Sequence, residues 1–353
     1  MKENVYVRLA EHLDRLPVAF PRTESGIELR ILERWFTREE AEIALAMRGL
    51  PEPVAVIADR LKADPITLSP ILYRMSTKGL IFRTPRGEEY LYHMVPFAEG
   101  MWEFHIQSMT PEGLRDLDAY FDHYMEKSWY GTETSQHRII PVMQSLSPEM
   151  EILPYEQAEE LIRSQSRIAV TQCICRKQGR MMGKGCDHPL EVCMVFGTGA
   201  HYYIENGIRR GISRDEALKI LQEAMDAGLV LQPGNGQKTW SICMCCGCGC
   251  LLLKALKKME KPARVVHTSF FAEGAVSDCN ACGLCEERCP MGAIRLDSAA
   301  VVNRDRCIGC GVCVGSCPTE ALKLRQKEKE ERYVPPKDIV EMHIRIARER
   351  GIL

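Results

Sequence analysis

Apolar and polar positions in the first third of the chain fall at helical spacing, interrupted by one stretch that alternates. Arg38-Glu39-Glu40-Ala41-Glu42-Ile43-Ala44-Leu45-Ala46-Met47-Arg48 follows Thr37, whose hydroxyl can cap a helix, and Glu40 stands where a capping box needs it. Val54 to Leu61 predicts a second helix and Lys62-Ala63-Asp64 a turn. Pro65 to Lys78 predicts a third helix, with Asp64 as N-cap, Pro65 at the first helical position and Gly79 as terminator. Leu80-Ile81-Phe82-Arg83-Thr84 and Glu89-Tyr90-Leu91-Tyr92-His93-Met94 flank the turn Pro85-Arg86-Gly87-Glu88 and predict a β-hairpin. Helical spacing resumes from Pro96 to Phe104 and from Gly113 to Met125, where the aromatic residues read as core. A loop is expected at Trp129 to Ser135, and a domain boundary near it.

Helix, helix, helix, hairpin is the order of a winged helix. The run from Ile57 to Ile81, IADRLKADPITLSPILYRMSTKGLI, resembles the helix-turn-helix and wing of MarR-like transcription regulators. That resemblance implies a third helix that presents polar and basic side chains to the DNA major groove. This helix instead begins Ile66, Thr67, Leu68, Ser69, Pro70, and an interior proline costs roughly 3 kcal/mol if unrelieved. Arg74, Lys78, Arg83 and Arg86 are the cations that remain, an ordinary number for a solvated face. The expected role is protein docking or homodimerisation, and nucleic acid is not the expected partner.

The 353 residues are 45% hydrophobic and 27% charged, with a formal net charge of −2, so composition selects no partner class. The length predicts two or three domains with adequate cores. No apolar run approaches the roughly 18 to 20 residues that span a bilayer. The chain begins with the charged stretch Met1-Lys2-Glu3-Asn4 and carries 17 cysteines, an odd number, which together argue against a secreted disulfide framework. Thiols placed for metal imply a reducing, cytoplasmic setting and best fit an anaerobic or microaerobic prokaryote.

Eight of the cysteines form two copies of CxxCxxCxxxCP: Cys279, Cys282, Cys285, Cys289 before Pro290, and Cys307, Cys310, Cys313, Cys317 before Pro318. This spacing lets three thiolates of one loop take three corners of an iron–sulfur cube while the fourth reaches the neighbouring cube. The copies extend further, Pro290-Met291-Gly292-Ala293-Ile294-Arg295-Leu296 matching Pro318-Thr319-Glu320-Ala321-Leu322-Lys323-Leu324, an internal duplication. Two [4Fe–4S] clusters follow, one on Cys279, Cys282, Cys285 and Cys317, the other on Cys307, Cys310, Cys313 and Cys289. Zinc ribbons keep their CxxC pairs apart and do not repeat this crowding. From about Val276 to Leu324 the chain resembles the bacterial-type two-[4Fe–4S] ferredoxin domain.

The other nine cysteines fall in two clumps: Cys173, Cys175, Cys186 and Cys193, then Cys243, Cys245, Cys246, Cys248 and Cys250. In extended chain a CxC pair points both thiols to one face, so Cys173 with Cys175, and Cys243 with Cys245, can share a metal, while Cys246 and Cys248 are offset. The helix predicted from Arg214 to Leu229 and the turn Pro233-Gly234-Asn235-Gly236 can bring the clumps together. The nine are candidate ligands of an additional centre: one or two further [4Fe–4S] clusters, a zinc site, or a redox-active thiol centre. Cys245-Cys246-Gly247 resembles a fragment of the cysteine-rich domains of heterodisulfide reductases, though the surrounding spacing differs. Arg176 can neutralise cluster charge, and Asp187 and His188 can ligate or support ligands. Gly197-Thr198-Gly199-Ala200 lacks the spacing of a dinucleotide site.

The fold class expected is α+β and multi-domain: a winged helix with a helical extension over 1–130, a cysteine-rich α+β region over 131–272, a ferredoxin-like dicluster module over 273–326, and a linker with a docking helix over 327–353. The layout resembles anaerobe proteins described as 4Fe–4S dicluster domain proteins. It implies an electron-carrying subunit or adaptor of an anaerobic oxidoreductase system with redox protein partners, more than a stand-alone enzyme. Two alternatives stay open: a redox-sensing winged-helix regulator, and a reductase whose active site is the central cysteines.

Overall fold

A computed structural model describes residues 4–353, which form two compact units. The first comprises the chain up to Thr132 together with Tyr202–Ile208 and His343–Leu353. It opens with helices α1 (Val5–Asp14), α2 (Ile27–Trp35) and α3 (Arg38–Ala44). The capping box ahead of α3 forms, since Thr37 Oγ1 accepts from Glu40 N at 3.2 Å and Glu40 Oε2 accepts from Thr37 N at 2.7 Å. A two-residue strand β1 (Glu52–Pro53) precedes α4 (Val54–Leu61) and α5 (Pro65–Lys78). Asp64 caps α5 by accepting from the Ile66 and Thr67 amides, and Gly79 ends it at φ +90°. Phe104 sits so close to Gly79 that a Cβ there would lie 2.8 Å from its own Cβ.

Strands β2 (Phe82–Arg86) and β3 (Glu89–His93) form the hairpin, and β1 adds to β3 to give the order β1-β3-β2. Phe97–Met101 is not regular helix, because Ala98, Glu99 and Gly100 leave helical φ/ψ; α6 (Trp102–Phe104) and α7 (Pro111–Tyr124) follow. Their aromatic residues pack as core around Phe97, whose ring centroid lies 4.9 Å from that of Tyr124 and 5.3 Å from that of Tyr120.

The second unit comprises Glu133–His201 and Arg209–Met342. Its elements begin with α8 (Ala158–Arg163), β4 (Ile168–Gln172), α9 (Ile174–Met181), β5 (Glu191–Phe196) and α10 (Gly197–Glu205), whose last turn belongs to the first unit. Next come β6 (Arg210–Ile212), α11 (Arg214–Asp226), β7 (Val230–Pro233), β8 (Ser241–Cys245) and α12 (Leu251–Lys258). The five strands make an antiparallel sheet in the order β6-β4-β5-β8-β7. Gly228, at φ +72°, turns the chain from α11 into β7, β7 pairs with β8, and the two cysteine clumps lie at one end of neighbouring strands.

The rest of this unit holds β9 (Phe270–Gly274), α13 (Leu284–Arg288), β10 (Ile294–Leu296), β11 (Ala300–Val302), α14 (Val312–Gly315) and β12 (Leu322–Gln326). β9 pairs with β12 and β10 with β11, so the cysteine loops are closed between two short ribbons. A last helix, α15 (Ile339–Glu349), ends in the first unit. Among the described residues no helix is long and apolar enough to cross a membrane.

Candidate metal centres

The duplication read from the cysteines is written into the backbone as well. Left-handed φ occurs at Ala281 and Gly309, at Gly283 and Gly311, and at Gly292 and Glu320, each pair separated as Cys279 is from Cys307. The first two pairs turn the chain between ligands so that consecutive thiols face inward, and α13 and α14 then carry Cys285 and Cys313. Both of these cysteines are buried in one core with Ala272, Ile294, Ala300 and Leu322.

Both of these buried thiols are shifted by burial and by the cysteines around them. Burial, then the neighbouring Cys317 and Cys279, push Cys285 above the usual thiol range. Burial, then the neighbouring Cys310, Cys307, Cys289 and Cys285, do the same to Cys313. Cys289, Cys307, Cys310 and Cys313 line one cavity walled by Ala272, Ile294 and Val302. Backbone amides already point at these sulfurs: Ala272 N donates to Cys307 Sγ at 3.3 Å and Ala293 N to Cys289 Sγ at 3.2 Å. Four thiols, apolar walls and N–H donors to sulfur fit a [4Fe–4S] cube. The other set is more open, with Cys282 exposed. At Cys317 burial is outweighed by hydrogen bonds from the backbone of Leu322, the side chain and backbone of Thr319 and the backbone of Ala321, which bring its thiol below the usual range.

The central clumps meet at one end of the sheet. Cys173 lies just after β4 and caps α9, Cys175 lies in the first turn of α9, and Cys193 is on β5. The extended reading of the first CxC pair therefore does not hold; the second does, with Cys243 and Cys245 on β8. Six thiols are neighbours in a closed ring, in the order Cys173, Cys175, Cys250, Cys245, Cys243, Cys193. The neighbouring Cys175 and Cys193 thiols hold Cys173 well below the usual thiol range, and the neighbouring Cys175 and Cys245 thiols do the same for Cys250. Gln232 on β7 approaches from the side, with Nε2 3.9 Å from Cys250 Sγ.

Cys186, Cys246 and Cys248 stand apart from the ring, their sulfurs within 4.8 Å of one another. Between the ring and the trio lies Arg176, only 1% exposed, whose Nη2 donates to Met244 O at 3.2 Å. Burial opposes its charge, but the neighbouring sulfurs of Cys173, Cys193 and Cys246 keep it firmly protonated. Arg180 holds the Cys186 loop by donating to the carbonyls of Cys186 and His188 at 3.2 and 3.1 Å. His188 is half-buried and Asp187 exposed beside it.

Two features join the central cysteines to the dicluster segment, and neither was foreseen. Gly247 packs on Pro290, the residue after Cys289, so tightly that a Cβ would lie 2.9 Å from Pro290 Cα. Arg306, just before Cys307, donates to Lys257 O at 3.0 Å and Met259 O at 2.9 Å at the end of α12, and to Met291 O at 2.9 and 3.0 Å. A guanidinium that satisfies the terminal carbonyls of the helix following Cys250 fixes that helix to the cysteine loop. The alternation of glycine with cysteine from Cys246 to Cys250 was the signal for close backbone approach.

Residues 278–321 are similar to the family described as 4Fe-4S dicluster domain. The match covers the eight C-terminal cysteines within its span and supports [4Fe–4S] cofactors and an iron–sulfur, ferredoxin-type electron-transfer class for that segment. No curated protein and no solved structure matches the chain.

Proposed function

We propose that this chain is an electron-carrying subunit or adaptor of a larger oxidoreductase system, relaying single electrons between a redox protein partner and its own central cysteine centre. The observation that carries this reading is the packing of Gly247 against Pro290, which puts the central thiols beside the enclosed cysteine set. Bound [4Fe–4S] clusters supply reversible one-electron storage. Cys279, Cys282, Cys285 and Cys317 would hold one, Cys307, Cys310, Cys313 and Cys289 the second, and the six-thiol ring a further one. The residues around them set the environment. Cys282 leaves the outer set open to a partner, while Val142 N, donating to Cys310 O at 3.1 Å, and Ser145, packed on Gly311, cover the inner set from water. Arg176 supplies the positive charge that thiolate-rich centres need when buried.

The N-terminal elements, read as a winged helix, would dock a protein or a second copy of the chain. Of their four candidate cations Arg83 is buried against Glu205 at 3.0 Å, and Lys78 is paired with Glu40 at 2.7 Å. Ile66, 83% exposed, and Tyr73 give the outer face of α5 an apolar character unsuited to phosphate. Reductive titration of anaerobically purified protein tests the relay. Three electrons per chain are expected, with one lost in Cys173→Ser/Cys245→Ser; two electrons in both proteins would leave the centre out of the relay.

A further inference from the structure

The nine central cysteines divide six and three, and the three are spaced for something other than a cube. Cys186 Sγ and Cys246 Sγ lie 3.7 Å apart, and Cys248 completes a triangle within 4.8 Å. A single tetrahedral ion with metal–sulfur bonds of about 2.3 Å sets its sulfurs about 3.8 Å from one another. Ligands of a cube sit on different irons, so each pair is separated by two metal–sulfur bonds and an edge of the cube. Among the described residues this trio is the one group of three candidate ligands packed so closely, and the four-thiol sets of the dicluster segment are not.

We propose that Cys186, Cys246 and Cys248 bind one borderline-soft divalent ion of the zinc type, separate from any iron–sulfur cluster, with the fourth corner open to water or an external donor. The proposal rests on these thiols being metal ligands and not on the relay. Three further observations belong to the same site. Gly249 N donates to Cys246 Sγ at 3.2 Å, as amides do to metal-bound thiolates. A Cβ on Gly249 would lie 3.1 Å from Cys246 Sγ and 3.4 Å from Cys186 Sγ, so glycine is what lets the loop close on both sulfurs. Arg176 is buried, its Nε and Nη1 have no hydrogen-bond partner, and a Cβ on Gly249 would lie 3.0 Å from its Cγ, on the same side as the Cys246 and Cys186 sulfurs. Three thiolates and a divalent ion carry one net negative charge, which that guanidinium balances. Exposure of Cys248 and half-burial of Cys186 leave the remaining corner facing solvent, the arrangement of zinc sites that accept a ligand rather than of closed structural ones.

The test is elemental analysis of the full chain for zinc and iron together, followed by exchange with Co²⁺. Wild type should hold one zinc per chain, and cobalt should give the ligand-field and thiolate charge-transfer bands of a tetrahedral sulfur site. Cys186→Ser/Cys248→Ser should lose the zinc and the cobalt bands while keeping all of its iron. Cys248→His, a milder change at an exposed position, should retain one cobalt with weaker charge-transfer absorption. No tightly held divalent ion in wild type, or loss of about four irons from the double variant, would overturn the proposal. Loss of iron in Cys173→Ser/Cys245→Ser reports on the ring alone and leaves this site untouched.

Discussion

Replacing Arg176 with methionine removes one buried positive charge and keeps most of the volume. The side chain is 1% exposed and lies beside the sulfurs of Cys173, Cys193, Cys246 and Cys245. At an effective dielectric of about 20, a unit charge roughly 4–6 Å from a thiolate-bound centre contributes about 3 kcal/mol. Adding an electron to that centre then becomes harder by the same amount, which at about 59 mV per tenfold for one electron is on the order of 100–150 mV. The assay is an EPR-monitored redox titration of the full-length variant beside Arg176→Lys, which keeps the charge. The central signal should move to lower potential in Arg176→Met and much less in Arg176→Lys, with the signals of the dicluster segment unmoved. A central potential that stays within about 30 mV of wild type in Arg176→Met, with iron content intact, would refute the idea that this charge sets the environment of the ring.

Three further outcomes are expected. Gly309→Ala forces a side chain into φ +68° and against the Phe270 carbonyl, so the variant should lose the iron of the enclosed set and keep that of the open one, as counted by EPR spin quantitation. His105 stacks on Trp35 with ring centroids 4.4 Å apart, and burial, partly offset by its bond to Met101 O, lowers its pKa to about 4. A base depressed in the folded state stabilises fully above the unfolded value of about 6.5 and loses roughly 3 kcal/mol as pH falls from there toward 4; tryptophan-monitored urea unfolding should show this slope, and His105→Gln should flatten it. In gel shifts at low salt the chain should not retard promoter DNA, since even non-specific binders gain phosphate contacts there, and retardation that weakens steeply with salt would restore the regulator reading.

Local signals in the sequence proved most legible where one residue type has one physical use. Thr37 with Glu40, Asp64 with Pro65, and Gly79 marked helix ends that the structure places at or near those residues. The crossed grouping expected of the eight C-terminal cysteines rests on spacing, because three ligands in one loop leave little freedom, and Cys289 lines one cavity with Cys307, Cys310 and Cys313. The five-stranded sheet was not legible, since its strands are short and pair across helices, and β1 is only two residues long. Cys175 was placed in extended chain because a CxC pair looks alike in a strand and at a strand-to-helix junction. The division of the nine central cysteines was equally hidden: Cys186 joins Cys246 and Cys248 through a loop held by Arg180, a contact that no sequence period announces.

The most direct measurement is iron and acid-labile sulfide per chain on anaerobically purified protein, with EPR after dithionite, comparing wild type with Cys173→Ser/Cys245→Ser. About twelve irons falling to about eight would place a cluster on the six-thiol ring beside the dicluster pair. About eight irons in both proteins would contradict it and confine the iron–sulfur chemistry to Cys279 through Cys317.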